Sequence, residues 1–219
     1  MAQQLLPRRL RLPAAALLAA CVIVTAVLAV FGGWGQQGWL DSAIDPRIQA
    51  GLGRFPALLS WLPDFGTLSP VTLMSLALAT GCLAARRWSG AVLVAVAVHA
   101  AIVLTEYVLK PSVGRAIGQS FPSGHATSMF ALAAICAVLL VAPPGRRVPG
   151  AIRLLLVLIA LLLAAAVASA MVAIGAHSFT DAVAGTAVGT GVVLACALTL
   201  DVVTSRPRRA PAARSLPGE

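Results

Sequence analysis

Six apolar runs set the terms for this chain: Leu12–Phe31, Pro70–Ala85, Ala91–Leu109, Ala126–Ala142, Ala151–Ile174 and Ala182–Val203. In hydrocarbon each backbone N–H and C=O must find a partner without help from water, and a continuous apolar run does this as a helix. About 20 residues cross the hydrocarbon core, so the second and fourth runs must borrow flanking residues. Charged residues make up 11% of the chain, against about 25% in a soluble domain. The expectation is an all-α membrane protein with six transmembrane helices. A basic cytoplasmic N-terminus covers residues 1–11, one six-span domain covers 12–204, and a disordered cytoplasmic tail rich in Pro, Arg and Ala covers 205–219. Arg8, Arg9 and Arg11 precede the first run as they would in a signal peptide, but the run exceeds the roughly 7–15 residues of a signal h-region and is read as a span.

The net charge of +9 resembles that of a nucleic-acid binder until the charges are placed. They gather at the ends of the apolar runs, where a membrane protein uses them to set topology, so nucleic acid is not an expected partner. With an even number of spans both termini share one side, and that side holds twelve basic residues: Arg8, Arg9, Arg11, Arg86, Arg87, Arg146, Arg147, Arg153, Arg206, Arg208, Arg209 and Arg214. Arg47, Arg54, Lys110 and Arg115 fall on the other. The positive-inside rule then makes the termini cytoplasmic in a cell-membrane protein, and the first, third and fifth loops face outward. The long first loop, Gly32 to Ser69, carries Trp34, Trp39 and Trp61. Asp41–Leu52 and Phe55–Leu62 within it read as short interfacial helices, either a lip that guides a lipid or a simple anchor. Cys21, Cys82, Cys136 and Cys196 all lie inside apolar runs and read as small hydrophobes.

Rare polar residues collect in those outward loops. His125 and His177 are two of only three histidines, and Lys110 is the single lysine. In Pro122-Ser123-Gly124-His125 the Pro and Gly make a turn, and Ser123 can cap the helix that follows. Free amides at a helix start form an anion site, and Gly124 lets backbone approach it closely. His177 and Asp181 are four residues apart, on one face if that stretch is helical. A carboxylate on one imidazole nitrogen leaves the other as base or nucleophile, although Asp181 can equally be a first-turn helix residue with Thr180 as the cap. Lys110 and Arg115 flank a turn on the same side. Two cations beside two histidines suit a multiply charged anion such as phosphate. Without a His-Glu-x-x-His or a dense ligand cluster, no metal or other cofactor is expected.

With those residues in place the chain resembles the type 2 phosphatidic acid phosphatase family of integral membrane lipid phosphate phosphatases, whose motifs run Lys-x6-Arg-Pro, Pro-Ser-Gly-His and Ser-Arg-x5-His-x3-Asp. The second is complete at Pro122–His125, the third matches at His177 and Asp181, and the first matches at Lys110. The resemblance implies a metal-independent lipid phosphatase. In it His177 attacks phosphorus, Asp181 orients His177, and His125 protonates the leaving oxygen and then activates water. Lys110, Ser123, Gly124 and Arg115 would hold the phosphate. A polyprenyl pyrophosphate, phosphatidylglycerol phosphate or phosphatidic acid is the implied substrate.

Two arginines of the pattern are replaced. Ile117 and Gly118 stand where Arg-Pro is expected, and Ala170 and Met171 stand where Ser-Arg is expected. A charged hydrogen bond is worth roughly 1.5–3 kcal/mol, so these changes keep open a second reading, a diverged member that binds or moves a lipid phosphate without hydrolysing it. Glu106 and His99 are candidate supporting residues on the third span. Glu106 is spaced to pair with Lys110, and His99 can alternatively be a core histidine. Gly185-x-x-x-Gly189 is a helix-packing signal.

Overall fold

The computed structural model of the chain describes residues 4–32, 38–113, 121–141 and 148–205. Trp34, Arg115, Ile117 and the expected tail from residue 206 onward lie outside them. All regular structure among the described residues is helical: α1 (Arg8–Gly32), α2 (Trp39–Leu52), α3 (Pro56–Leu59), α4 (Leu68–Ala84), α5 (Trp88–Val103), α6 (Lys110–Ser112), α7 (Gly124–Val141), α8 (Gly150–Ala173) and α9 (Phe179–Ser205). A 3-10 turn, Leu62–Gly66, precedes α4, and a π-helical stretch, Leu104–Leu109, joins α5 to α6.

Five continuous helical stretches are long and apolar enough to cross a membrane: Arg8–Val30, Trp88–Ser112, Gly124–Val141, Gly150–Ala173 and Phe179–Ser205. The run expected at Pro70–Ala85 is the 17-residue α4. Together with Pro56–Gly66 it forms a pair bent by 59°, which makes a sixth crossing only if the two pieces count as one. The first loop is substantially helical, and its second expected helix is broken into α3 and the 3-10 turn.

The bundle centres on α7 and α9, the helix pair in most extensive contact. Their closeness comes from two glycines. A Cβ on Gly189 would run into the carbonyl oxygen of Thr127, and one on Gly185 would stand 2.9 Å from the Ala126 Cβ. Backbone therefore packs on backbone, as small-xxx-small spacing allows. Buried alanines, among them Ala97, Ala101, Ala131 and Ala164, keep the neighbouring helices close. The four cysteines are free and buried or half-buried in this packing.

The two ends of the bundle differ in chemistry. Arg87 Nη1 donates to the Leu139 carbonyl at 2.7 Å, and Arg153 Nη1 to the Leu140 carbonyl at 3.3 Å. Two arginines thus satisfy C-terminal carbonyls of α7 that the helix itself cannot. At the end of α9 the buried Asp201 accepts the amides of Leu5 and Leu6 at 2.7 and 2.9 Å, and pairs with Arg11 at 3.4 Å. Lys110, His125 and His177 lie at the opposite end, about 27 Å away along the length of α7.

Candidate active site

His177 and Asp181 are delivered by the turn between α8 and α9. Gly175 adopts φ +74. Its amide returns to the Val172 carbonyl at 3.0 Å, and that of Ala176 to the Met171 carbonyl at 3.0 Å. This is a Schellman ending, which stops α8 abruptly and reverses the chain. The His177 amide also donates to the Met171 carbonyl, at 3.2 Å. The cap of α9 is Ser178 rather than Thr180. The Asp181 amide donates to Ser178 Oγ at 3.3 Å, and the Ser178 amide returns to Asp181 Oδ2 at 3.0 Å. That reciprocal pair is a capping box with Asp in the acidic position.

Two further carboxylates reach this helix start from α2. Asp45 Oδ1 accepts the Phe179 amide at 2.9 Å. Asp41 accepts the Thr180 amide at 2.9 Å and the Thr180 hydroxyl at 2.8 Å. Both are buried, at 4% and 2% exposure. The first amides of α9 are therefore occupied by the protein's own acids, and this helix start is not an anion site. Gln49 of α2 reaches the Val172 carbonyl at 3.4 Å, so α2 grips the turn on both sides of His177. Burial pushes the Asp45 carboxyl above the ordinary carboxylate value; the bond from the Phe179 amide acts against this, and the charges of Asp41 and Asp181 add to it.

The start of α7 is built differently. The Ser123 amide donates to the Asp181 carbonyl at 3.0 Å, tying the two motifs together. Ser123 is fully buried. Its Oγ accepts the Ala126 amide at 3.4 Å and its carbonyl accepts the Thr127 hydroxyl at 2.9 Å. Ser123 serves as the helix cap expected from its place before α7. The amides of Gly124 and His125 take no acceptor among the described residues, so the free donors of this helix belong to them.

A cavity of about 500 Å³ opens here, lined by Gly66, Glu106, Lys110, Gly124, His125 and His177 among others. Lys110 Nζ is 2.6 and 2.7 Å from the two oxygens of Glu106, the pairing expected from their spacing. A Cβ on Gly124 would fall 2.7 Å from Glu106 Oε1 and 3.7 Å from Lys110 Nζ, so Gly124 leaves the room that the ion pair occupies. Gly66 does the same for His125, whose ring atoms would lie 2.7 to 3.0 Å from a Cβ there. The His177 side chain is 8% exposed, and its Nδ1 stands 3.7 Å from Asp181 Oδ2. That exceeds a hydrogen bond, and Nδ1 has no hydrogen-bond partner among the described residues.

A model of the PAP2 superfamily matches residues 65–204. The chain belongs to that family. No curated protein and no solved structure gives a match. The PAP2 match takes in every residue named on the cavity wall and leaves out α1 and α2. Phosphatase action on lipid phosphates is the general chemistry of PAP2 proteins, and the several apolar helices make this chain a multi-pass membrane protein.

Not every expected residue reaches this cavity. His99 is exposed, bonds the Ala95 carbonyl of its own helix at 2.7 Å and lines a separate cavity between α4 and α5. It lies eleven residues before Lys110, about 16 Å along the axis, and the intervening π turns rotate it away. It is not a core histidine, and it lies outside the cavity that Lys110 lines. Arg115 lies outside the described residues, and Met171 is buried at 6% exposure. Asp41, Asp45, Gly66 and Ser178 were missed. The one available signal was Asp41 and Asp45 at i,i+4 in an apolar loop of a chain with only seven acidic residues.

Among the described residues no three of His, Cys, Asp and Glu converge as metal ligands would.

Proposed function

We propose that this PAP2 protein is a metal-independent phosphatase of membrane lipid phosphates that works through a phosphohistidine on His177. The observation that carries the reading is the convergence of His125, His177, Lys110 and the first amides of α7 on one cavity. His177 Nε2 attacks phosphorus while the bond to the lipid oxygen breaks, and His125 gives that oxygen its proton. His125 then takes a proton from water, whose oxygen attacks phosphorus and returns His177 with release of orthophosphate. Asp181 stabilises the charge that develops on His177; catalytic hydrogen bonds are commonly long before substrate arrives and tighten in the complex. Lys110 and the amides of Gly124 and His125 hold the phosphate oxygens, with Ser123 ordering that turn and Arg115 as a candidate second cation. The substrate class is a prenyl or glycerolipid phosphate: polyprenyl pyrophosphate, phosphatidylglycerol phosphate or phosphatidic acid.

The same reading puts the cavity on the extracytoplasmic face of a six-span bundle in the cell membrane, opposite Arg11, Arg87 and Arg153. Cysteines introduced at Ser112 and Ser205 test it. Labelling of Ser112→Cys alone from outside intact cells is expected, and labelling of both overturns the topology.

Activity is tested on purified protein in detergent with a panel of lipid phosphates and a metal chelator. Released orthophosphate should disappear in His177→Ala and His125→Ala, and undiminished release in His177→Ala removes it as the nucleophile. A second reading, binding without turnover, is favoured by buried Met171 in place of an arginine. It predicts no release with any lipid, but saturable binding that Lys110→Ala abolishes.

A further inference from the structure

Lys110 is the only lysine or arginine on the cavity wall among the described residues, and it is not available as it stands. Glu106 holds two of its three N–H donors. The Glu106 carboxylate also lies against Gly124, where a Cβ would stand 2.7 Å from its Oε1, beside the Gly124 and His125 amides that take no acceptor among the described residues. An anion thus already touches both the lysine and the helix start. It is tethered to the protein, and its side chain is 39% exposed.

We infer that Glu106 is a built-in competitor for the phosphate position and sets how weakly this site holds phosphate; the inference rests on the reading of the cavity as a phosphate site. An arriving phosphate takes over Lys110 Nζ and the α7 amides, and the carboxylate rotates out. When orthophosphate is the product, Glu106 returns to Lys110 and displaces it. An ion pair of this exposure is worth up to about fivefold in an equilibrium constant. Repulsion between the displaced carboxylate and a dianion adds to that. The effect opposes product retention in a site with few cations, and it penalises head groups in proportion to their negative charge.

The test is titration of the full-length protein in detergent with inorganic phosphate at fixed ionic strength, followed by calorimetry or phosphorus NMR. Glu106→Gln is expected to bind orthophosphate about fivefold or more tightly than the parent. A merely structural role for Glu106 gives the opposite sign, because loss of the partner lets Lys110 wander. Glu106→Ala is the second variant, informative if the glutamine amide still holds Lys110 or if that chain folds poorly. Unchanged or weaker binding in both variants, or no measurable binding in any of the proteins, overturns the inference. Adding Lys110→Gln to Glu106→Gln should abolish the gain. If tight binding survives that second change, orthophosphate is bound elsewhere and the reading of the cavity fails instead.

Discussion

Replacing Asp41 by alanine should loosen the turn that carries His177. Asp41 accepts two hydrogen bonds from Thr180, at 2.9 and 2.8 Å, with 2% of its own surface exposed. Each bond to a charged group is worth about 1.5–3 kcal/mol, so the gross loss is about 3–6. Two effects reduce it. The carboxylate no longer has to be buried, and Asp45, which feels the charges of Asp41 and Asp181, loses one like-charged neighbour. A net cost of about 2–3 kcal/mol is what remains, above the roughly 1 kcal/mol typical of an ordinary N-cap. Asp41→Asn keeps one acceptor and sheds the charge, so its cost should be about half as large. For a chain of this size each kcal/mol moves the melting temperature by about 2–4 °C. Thermal unfolding in detergent should therefore show Asp41→Ala about 4–12 °C below the parent, with Asp41→Asn between them. Turnover should fall with it, because the same turn places His177. A melting temperature within 1 °C of the parent would refute the clamp, and an asparagine variant less stable than alanine would refute the account of charge relief.

Asp45 offers a pH test. Its carboxyl is raised in the folded state, by burial first, so the folded chain binds that proton more tightly than the unfolded one. The contribution of Asp45 to stability is fullest below the ordinary carboxylate value of about 3.9 and declines as pH rises to its folded value. Melting curves of Asp45→Asn and the parent should converge at the acid end of that window and diverge above it, with the parent losing ground. Gly189→Ala forces a Cβ into the Thr127 carbonyl, which no side-chain rotation relieves. Overpacking of about 1–3 kcal/mol outweighs the gain in helix propensity of about 1 kcal/mol, and phosphatase turnover should fall as α7 and α9 part. Gly81→Ala, with nothing within 4 Å of its Cβ, is the control and should be neutral or stabilising.

Local spacing made much of this protein legible. Continuous apolar runs read as helices because backbone groups in hydrocarbon must pair within the segment. Gly185 and Gly189 read as a packing face, and Glu106 with Lys110 as an i,i+4 pair, because each depends on one helix alone. The residues that meet in the cavity could be named from short motifs for the same reason. What sits around them could not. Asp41 and Asp45 reach Phe179 and Thr180 across 134 to 139 residues of chain, and no period in the sequence encodes a contact of that separation. His99 shares a face with Lys110 only if the third span winds as an α-helix throughout, and the π turns at Leu104–Leu109 break that winding.

The sequence by itself therefore determined most of the helices, which residues are polar where polarity is costly, and which loops hold them. Only the tertiary structure decided what those residues face. It filled the α9 amides with carboxylates from α2, left the first α7 amides without an acceptor among the described residues, and laid Glu106 across Lys110. The physical reason is that helix formation is satisfied within a few residues, whereas the charge at a site is the sum over whatever the packing of distant segments brings there.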